Sequence, residues 1–184
     1  MRNVQTLKRS SVQPVVWPVW PLKAILAVLF LGPLVAPLFQ ATRLPLVTDS
    51  GWLARDLLSR YICPTPAKSY VLLGFPMAVC ARCWGATIGL WAAWFAFRIV
   101  TEDQRPTTIH QRPTTISSAA LLAGFLNLSW PLRLSVAALP FLLWVAEIWR
   151  WPAAPLWFLL ANGAFAGFWA GLFFCSIWPG LRRI

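Results

Sequence analysis

Long apolar runs without a charged side chain decide what this chain can fold into. Residues 21–40, PLKAILAVLFLGPLVAPLFQ, carry one charge, Lys23, at their start; residues 83–97 and 154–178 carry none. A helix needs about 20 such residues to cross a hydrocarbon core roughly 30 Å thick. Of the 184 residues, 59% are hydrophobic and 11% charged, and mean hydropathy is +0.64. An ordinary water-soluble domain carries far more charge. The chain therefore reads as an all-α integral membrane protein, because a helix satisfies its own backbone polar groups in lipid.

The net charge of +11 would point to nucleic acid in a soluble protein. Here the basic residues flank the apolar runs, where they set topology and meet anionic headgroups. No basic patch falls on a soluble domain, so the partner read from the charge is the lipid bilayer and not nucleic acid. Thirteen tryptophans add to this, with Trp17, Trp20, Trp130, Trp149, Trp151 and Trp178 near the ends of the apolar segments. Amphipathic rings favour the headgroup zone.

Along the chain, residues 1–20 form a basic cytoplasmic tail with Arg2, Lys8 and Arg9, and residues 21–184 form a single transmembrane helical domain. The first membrane helix spans 21–40, with kinks expected at Pro33 and Pro37. It is read as retained, since no small-x-small cleavage site follows. An amphiphilic loop, 41–79, contains GWLARDLLSRYI, which sets Leu53, Leu57 and Tyr61 on one helical face. That predicts a short interfacial helix capped by Asp49 or Ser50. A second membrane helix runs from about residue 77 to 100. The polar loop 101–116 holds a tandem copy, QRPTTIH then QRPTTIS, a duplication a solvated loop tolerates, and the only histidine, His110, which reads as a loop residue.

Residues 118–130 are apolar but short, and whether they cross the membrane stays open. A third helix precedes Arg150, and the last runs over about 154–178. Four crossings are favoured over five, because four place both termini and ten basic residues on the cytoplasmic side against six outside.

The chemistry-bearing residues then collect on the outer face. Cys80 and Cys83 open the second helix and Cys63 lies in the preceding loop. A helix N-terminus and Arg82 both favour thiolate. Three roles stay open for these candidate thiols: a structural disulfide or buried thiols, redox exchange with a membrane quinone as electron partner, and zinc. A closed zinc site needs four ligands, and Cys63, Cys80 and Cys83 supply three. No cofactor is required by the pattern. Both Cys80 and Cys83 are expected to be accessible from outside. Glu147, near the outer end of the third helix, reads either as a functional acid or as a snorkelling side chain. Asn162 lies in the last helix and Arg82 and Lys68 supply nearby positive charge. Cys175, deep in the last helix, reads as an apolar filler.

Glycines at Gly85 and Gly89, and at Gly163, Gly167 and Gly171, form two small-residue ridges. Such ridges let membrane helices approach closely, so the second and last helices are expected to pack together. The alternative assigns one ridge to an oligomer.

These motifs are similar to those of a bacterial family of small multi-pass membrane proteins, the domain of unknown function 2085. Its pattern has a Cys-His pair, an Arg-Ser-Phe, then Pro-Val-Cys-Ala-Arg-Cys-Thr-Gly opening a helix, a later Asp-Gly, and Thr-Gly with Ala-Gly in the last helix. Cys63 matches the first cysteine, and Lys68-Ser69-Tyr70 resembles the Arg-Ser-Phe. Cys80-Ala81-Arg82-Cys83 with Gly85 and Gly89 matches the central motif. Glu147 stands in for the aspartate, and Asn162-Gly163 and Ala166-Gly167 resemble the final pairs. The resemblance covers roughly residues 45 to 175 and implies a bacterial cytoplasmic membrane location. Pro64 replaces the family histidine and Trp84 the threonine, so a Cys-His-Cys-Cys clip would lack one ligand here. A looser similarity is to disulfide-forming quinone reductases, which open their second helix with CxxC but carry a second cysteine pair in a later loop; residues 150–153 hold none.

Three functional readings follow. The leading one is a binding or accessory component of a membrane assembly, with another membrane protein or a second copy as partner. The alternative is a quinone-linked thiol-disulfide oxidoreductase. The third is a small transporter, for which Glu147, Asn162 and Asn127 are the intramembrane polar groups.

Overall fold

A computed structural model describes residues 18–63, 65–103 and 116–178. The basic tail up to residue 17, Pro64, the tandem-copy loop with His110, and Arg182 and Arg183 lie outside the described residues. Among those described, six α-helices account for nearly all of the structure: α1 (Trp20–Ala41), α2 (Pro45–Tyr61), α3 (Ala81–Asp103), α4 (Ile116–Asn127), α5 (Trp130–Arg150) and α6 (Leu156–Ile177). The protein is all-α, and among the described residues three helices, α1, α5 and α6, are long and apolar enough to cross a membrane. At 23 residues α3 matches them in length and spans about 34 Å at ~1.5 Å per residue, but its charged ends lower its hydropathy. Over residues 118–130 the described residues hold α4, which ends at Asn127, and the start of α5 at Trp130; α4 is not among the described helices long and apolar enough to cross a membrane.

The two glycine ridges meet. A Cβ on Gly163 would strike the carbonyl of Arg82, one on Gly167 the carbonyl of Ala86, and one on Gly171 the side chain of Ala93. From the other side, Gly85 and Gly89 face the backbone of Leu160 and Ala164. Only hydrogen fits at these positions, so the backbones touch. Residue numbers rise together along this seam, so α3 and α6 run parallel, with the cysteine motif beside the start of α6.

The first helix packs antiparallel to α3. Trp91 Nε1 donates to the Leu26 carbonyl at 3.0 Å, Phe30 stacks on Trp84, and the Lys23 ammonium lies 5.5 Å from the Trp94 ring centre. At the far end from the cysteines, Leu26, Trp94, Phe97, Leu122, Phe125, Leu172 and Cys175 form one buried cluster. The start of α1 and the end of α6 share this end of the bundle, since Val19 and Trp178 both pack against it.

Both prolines expected to disturb α1 lie inside it, and the helix continues through them. Their effect is local. Pro37 has no N–H, so the carbonyl of Pro33 loses its helical partner. The backbone N–H of Ala78 takes that place at 3.3 Å, which ties the segment leading into the cysteine motif to α1.

The interfacial helix is longer than its amphipathic core suggested. It begins with Pro45 in the first turn, after Leu44 in extended conformation, and no side chain caps it. Asp49 and Ser50 lie inside the helix; the Ser50 hydroxyl donates to the Val47 carbonyl. Pro45 is suited to a first-turn position because its missing N–H would have had no partner there. Leu53, Leu57 and Tyr61 are exposed as one apolar face, while Gly51 presses against Ala36 and Phe39 of α1. Between α2 and α3 the chain makes a 3₁₀ turn, Pro66–Lys68, and a small hairpin pairing Val71 with Pro76 and Leu72 with Phe75. Its two turn residues, Leu73 and Gly74, both have positive φ, as a two-residue hairpin loop requires.

Candidate functional site

Three of the four cysteines converge at one end of the bundle. The sulfurs of Cys63, Cys80 and Cys83 all lie within 4.8 Å of one another. Two segments bring them together. Cys63 lies just past the end of α2, its amide bonded to the Leu58 carbonyl at 3.0 Å. Cys80 immediately precedes α3, and Cys83 sits in the first turn. The Cys80 N–H donates to the Cys63 sulfur at 3.1 Å, and the Cys80 and Cys83 sulfurs are 3.4 Å apart. All are free thiols.

Burial differs from the expected open pair. Cys80 is 0% exposed and Cys63 6%; Cys83 is only partly covered. Val79 is buried with Cys63 and Cys80, and Leu58 and Trp84 pack over them. Folding α2 back onto the motif closes it from water, which the linear sequence could not indicate.

The hydrogen bonds set which sulfur holds negative charge. Cys80 is held well below the ordinary thiol value, first by the bond from Cys63 and then by that from Cys83, with burial opposing. Cys63 is pushed up, first because its proton is committed to Cys80, while Cys83 acts the other way and burial adds to the rise. The closeness of the three sulfurs thus favours the charged form at Cys80 over Cys63.

Next to the thiols lies a charged cluster. The Arg82 guanidinium, 2% exposed, places Nη2 3.4 Å from Glu147 Oε1. Asn162 Nδ2 donates to the other Glu147 oxygen. Arg82, Glu147 and Asn162 come from α3, α5 and α6, so this group joins three helices at the cysteine end. Glu147 does not stand alone: its carboxylate is largely buried and paired with Arg82, as a buried charge requires. Lys68 Nζ donates to the carbonyls of Pro152 and Ala154, the latter at 3.3 Å, and pins the 3₁₀ turn to the link between α5 and α6. Trp84, the departure at the threonine position, is held between Phe30 and Tyr70. Asn127 is exposed at the end of α4 and Cys175 is buried in the opposite cluster; neither joins this site.

Thr65 was not singled out in the sequence and Trp151 only as an interfacial ring, yet both line a cavity beside Arg82 and Lys68. The only signal for Thr65 was its place two residues after Cys63. Trp151 carried the general signature of an interfacial tryptophan.

A helical bundle with an exposed apolar belt and three thiols closed into one end defines an integral membrane protein with a cysteine centre. The chain belongs to the predicted membrane protein family DUF2085, whose pattern matches residues 63–173. The match begins at Cys63 and includes the whole cysteine centre and the α3–α6 seam. No curated protein and no solved structure shows significant similarity to the chain.

Proposed function

We propose that the protein is a binding or accessory component of the bacterial cytoplasmic membrane whose outer end carries a three-cysteine centre for a thiophilic metal ion such as zinc. The observation that carries this reading is the convergence of three sulfurs from two separate segments within 4.8 Å. Thiolates around one zinc ion at ~2.3 Å would lie roughly 3.8 Å apart, close to the separations here. The amide of Cys80 supports the Cys63 sulfur, as an outer-shell donor does for a metal ligand. Arg82 is already paired with Glu147, so charge built up by three thiolates needs a further cation. Cys63, Cys80 and Cys83 would hold the ion, leaving one position for an incoming group. The bound ion would supply Lewis acidity or act as cargo.

The membrane orientation belongs to the same proposal. Four crossings, α1, α3, α5 and α6, with both termini cytoplasmic put the cysteine end outside. Support comes from the shared end of Val19 and Trp178 and from the ten-to-six distribution of basic residues. The exposed residues of α5, including Leu139, Leu142 and Leu143, are available to lipid, a partner protein or a second copy.

Metal analysis of the purified protein tests the reading. About one equivalent of metal is expected in the wild type, and much less when Cys63, Cys80 or Cys83 is replaced by serine. A wild type without metal that also fails to take up zinc under reducing dialysis would sink it.

One observation favours a second reading. The 3.4 Å separation of the Cys80 and Cys83 sulfurs and the thiolate preference of Cys80 suit dithiol oxidation. The pair would pass two electrons to a quinone; with Cys80 as thiolate, Cys83 gives one proton and water the other, yielding a disulfide and a quinol. Quinone-dependent loss of titratable thiols in metal-free protein is the corresponding test. Transport has less support, because Glu147 is held by both Asn162 and Arg82 at one end of the bundle.

A further inference from the structure

A cavity of about 340 Å³ lies between the 3₁₀ turn after α2 and the link from α5 to α6. Its volume falls within the range of small-ligand sites, which begin at roughly 300 Å³. Thr65, Lys68 and Arg82 line it together with Ile148 and Trp151. The Arg82 side chain is 2% exposed, and its Nε and Nη1 have no hydrogen-bond partner. Buried donors of a charged group are costly to leave unpaired. Lys68 donates to Pro152 and Ala154, and an ammonium has three donors. The carboxylate of Glu147 does not line the cavity; it is held behind Arg82 by that residue and Asn162. Two positive groups thus face one negative group, and the charged side chains of the lining are donors only.

We propose that this cavity binds a phosphate oxyanion, carried by an anionic phospholipid headgroup or free in solution. A tetrahedral oxyanion offers acceptors in several directions, which suits donors arriving from Lys68, Arg82 and Thr65. The faces of Ile148 and Trp151 give an apolar wall for the carbon atoms attached to a headgroup phosphate. This proposal is independent of the metal reading, since none of its liganding groups is a cysteine.

The test uses the full chain in detergent with three probes: phosphatidylglycerol, phosphatidylcholine and inorganic phosphate. Native mass spectrometry counts retained lipid, and thermal unfolding follows the response to phosphate. Selective retention of phosphatidylglycerol assigns the site to a lipid headgroup. A rise in melting temperature with phosphate in delipidated protein assigns it to the free ion. In either case Lys68→Met should weaken binding roughly tenfold, the effect of one charge-assisted hydrogen bond, and Lys68→Arg should retain it. The paired variant Arg82→Met with Glu147→Gln, which removes both buried charges together, should also lose binding. Metal content should not change in the Lys68 variants, which separates failure here from failure of the cysteine centre. Equal retention of the two lipids with no response to phosphate would overturn the proposal. So would a folded Lys68→Met protein that binds as the wild type does.

Discussion

The backbone N–H of Cys80 donates to the sulfur of Cys63 across a separation of seventeen residues, at 3.1 Å. This bond joins the end of α2 to the start of α3 and explains why the two segments close over one another. The sulfur–sulfur hydrogen bonds beside it favour charge on Cys80 over Cys63, which makes the contribution of these thiols to stability dependent on pH. In metal-free protein the lowered Cys80 thiol means that the unfolded chain binds more protons below the ordinary thiol value of 9.0, so stability rises with pH there. Above that value the raised Cys63 thiol reverses the sign, because the folded chain then holds more protons. The difference in melting temperature between wild type and Cys80→Ser should therefore grow as pH increases towards the ordinary thiol value and shrink beyond it. A difference independent of pH would show that charge is not favoured on Cys80 in this way.

The seam between α3 and α6 gives the largest expected packing effect. Gly167→Leu places a side chain against the carbonyl of Ala86, where backbone cannot give way cheaply. Overpacking of this kind costs about 1–3 kcal/mol or more. Gly32→Ala is the control, since nothing lies within 4 Å of a Cβ there; it should be neutral or stabilise by about 0.5–1 kcal/mol. Thermal unfolding in detergent checks both, and equal melting temperatures for Gly167→Leu and wild type would mean that the helices do not touch along this ridge.

This seam was legible in the sequence, because small residues at four-residue spacing have few other uses in a membrane helix. So were the helical class and the pairing of Cys80 with Cys83, which local spacing determines. The burial of Cys80 was not legible, since it depends on α2 folding back through Gly51 and on the Pro33 carbonyl that accepts from Ala78. Glu147 and Asn162 stood out as polar groups in apolar runs, but nothing local showed that Arg82 of α3 and Asn162 of α6 would meet on the Glu147 carboxylate. The start of α2 was misplaced because Asp49 and Ser50 resembled a cap, whereas Pro45 supplies the first turn.

The Arg82–Glu147 pair should behave as a buried pair does. Arg82→Met alone leaves the carboxylate uncompensated and should destabilise by about 3–5 kcal/mol. Adding Glu147→Gln should recover much of that loss, because no buried charge then remains. Comparing unfolding of the two variants measures the coupling; additive losses would mean that the two side chains do not interact.

A topology reporter addresses the orientation on which the outer cysteine centre depends. A C-terminal fusion active only in the cytoplasm should be active, and one active only outside should be silent. The opposite result would turn the cysteine end towards the cytoplasm, where thiols are kept reduced.

The three-sulfur centre itself is tested most directly by optical titration of reduced, metal-free protein with cobalt(II). The account predicts a thiolate-to-metal charge-transfer band that saturates at about one equivalent and collapses in Cys63→Ser, Cys80→Ser and Cys83→Ser alike. No such band in the wild type, or one that survives in the triple serine variant, would contradict it.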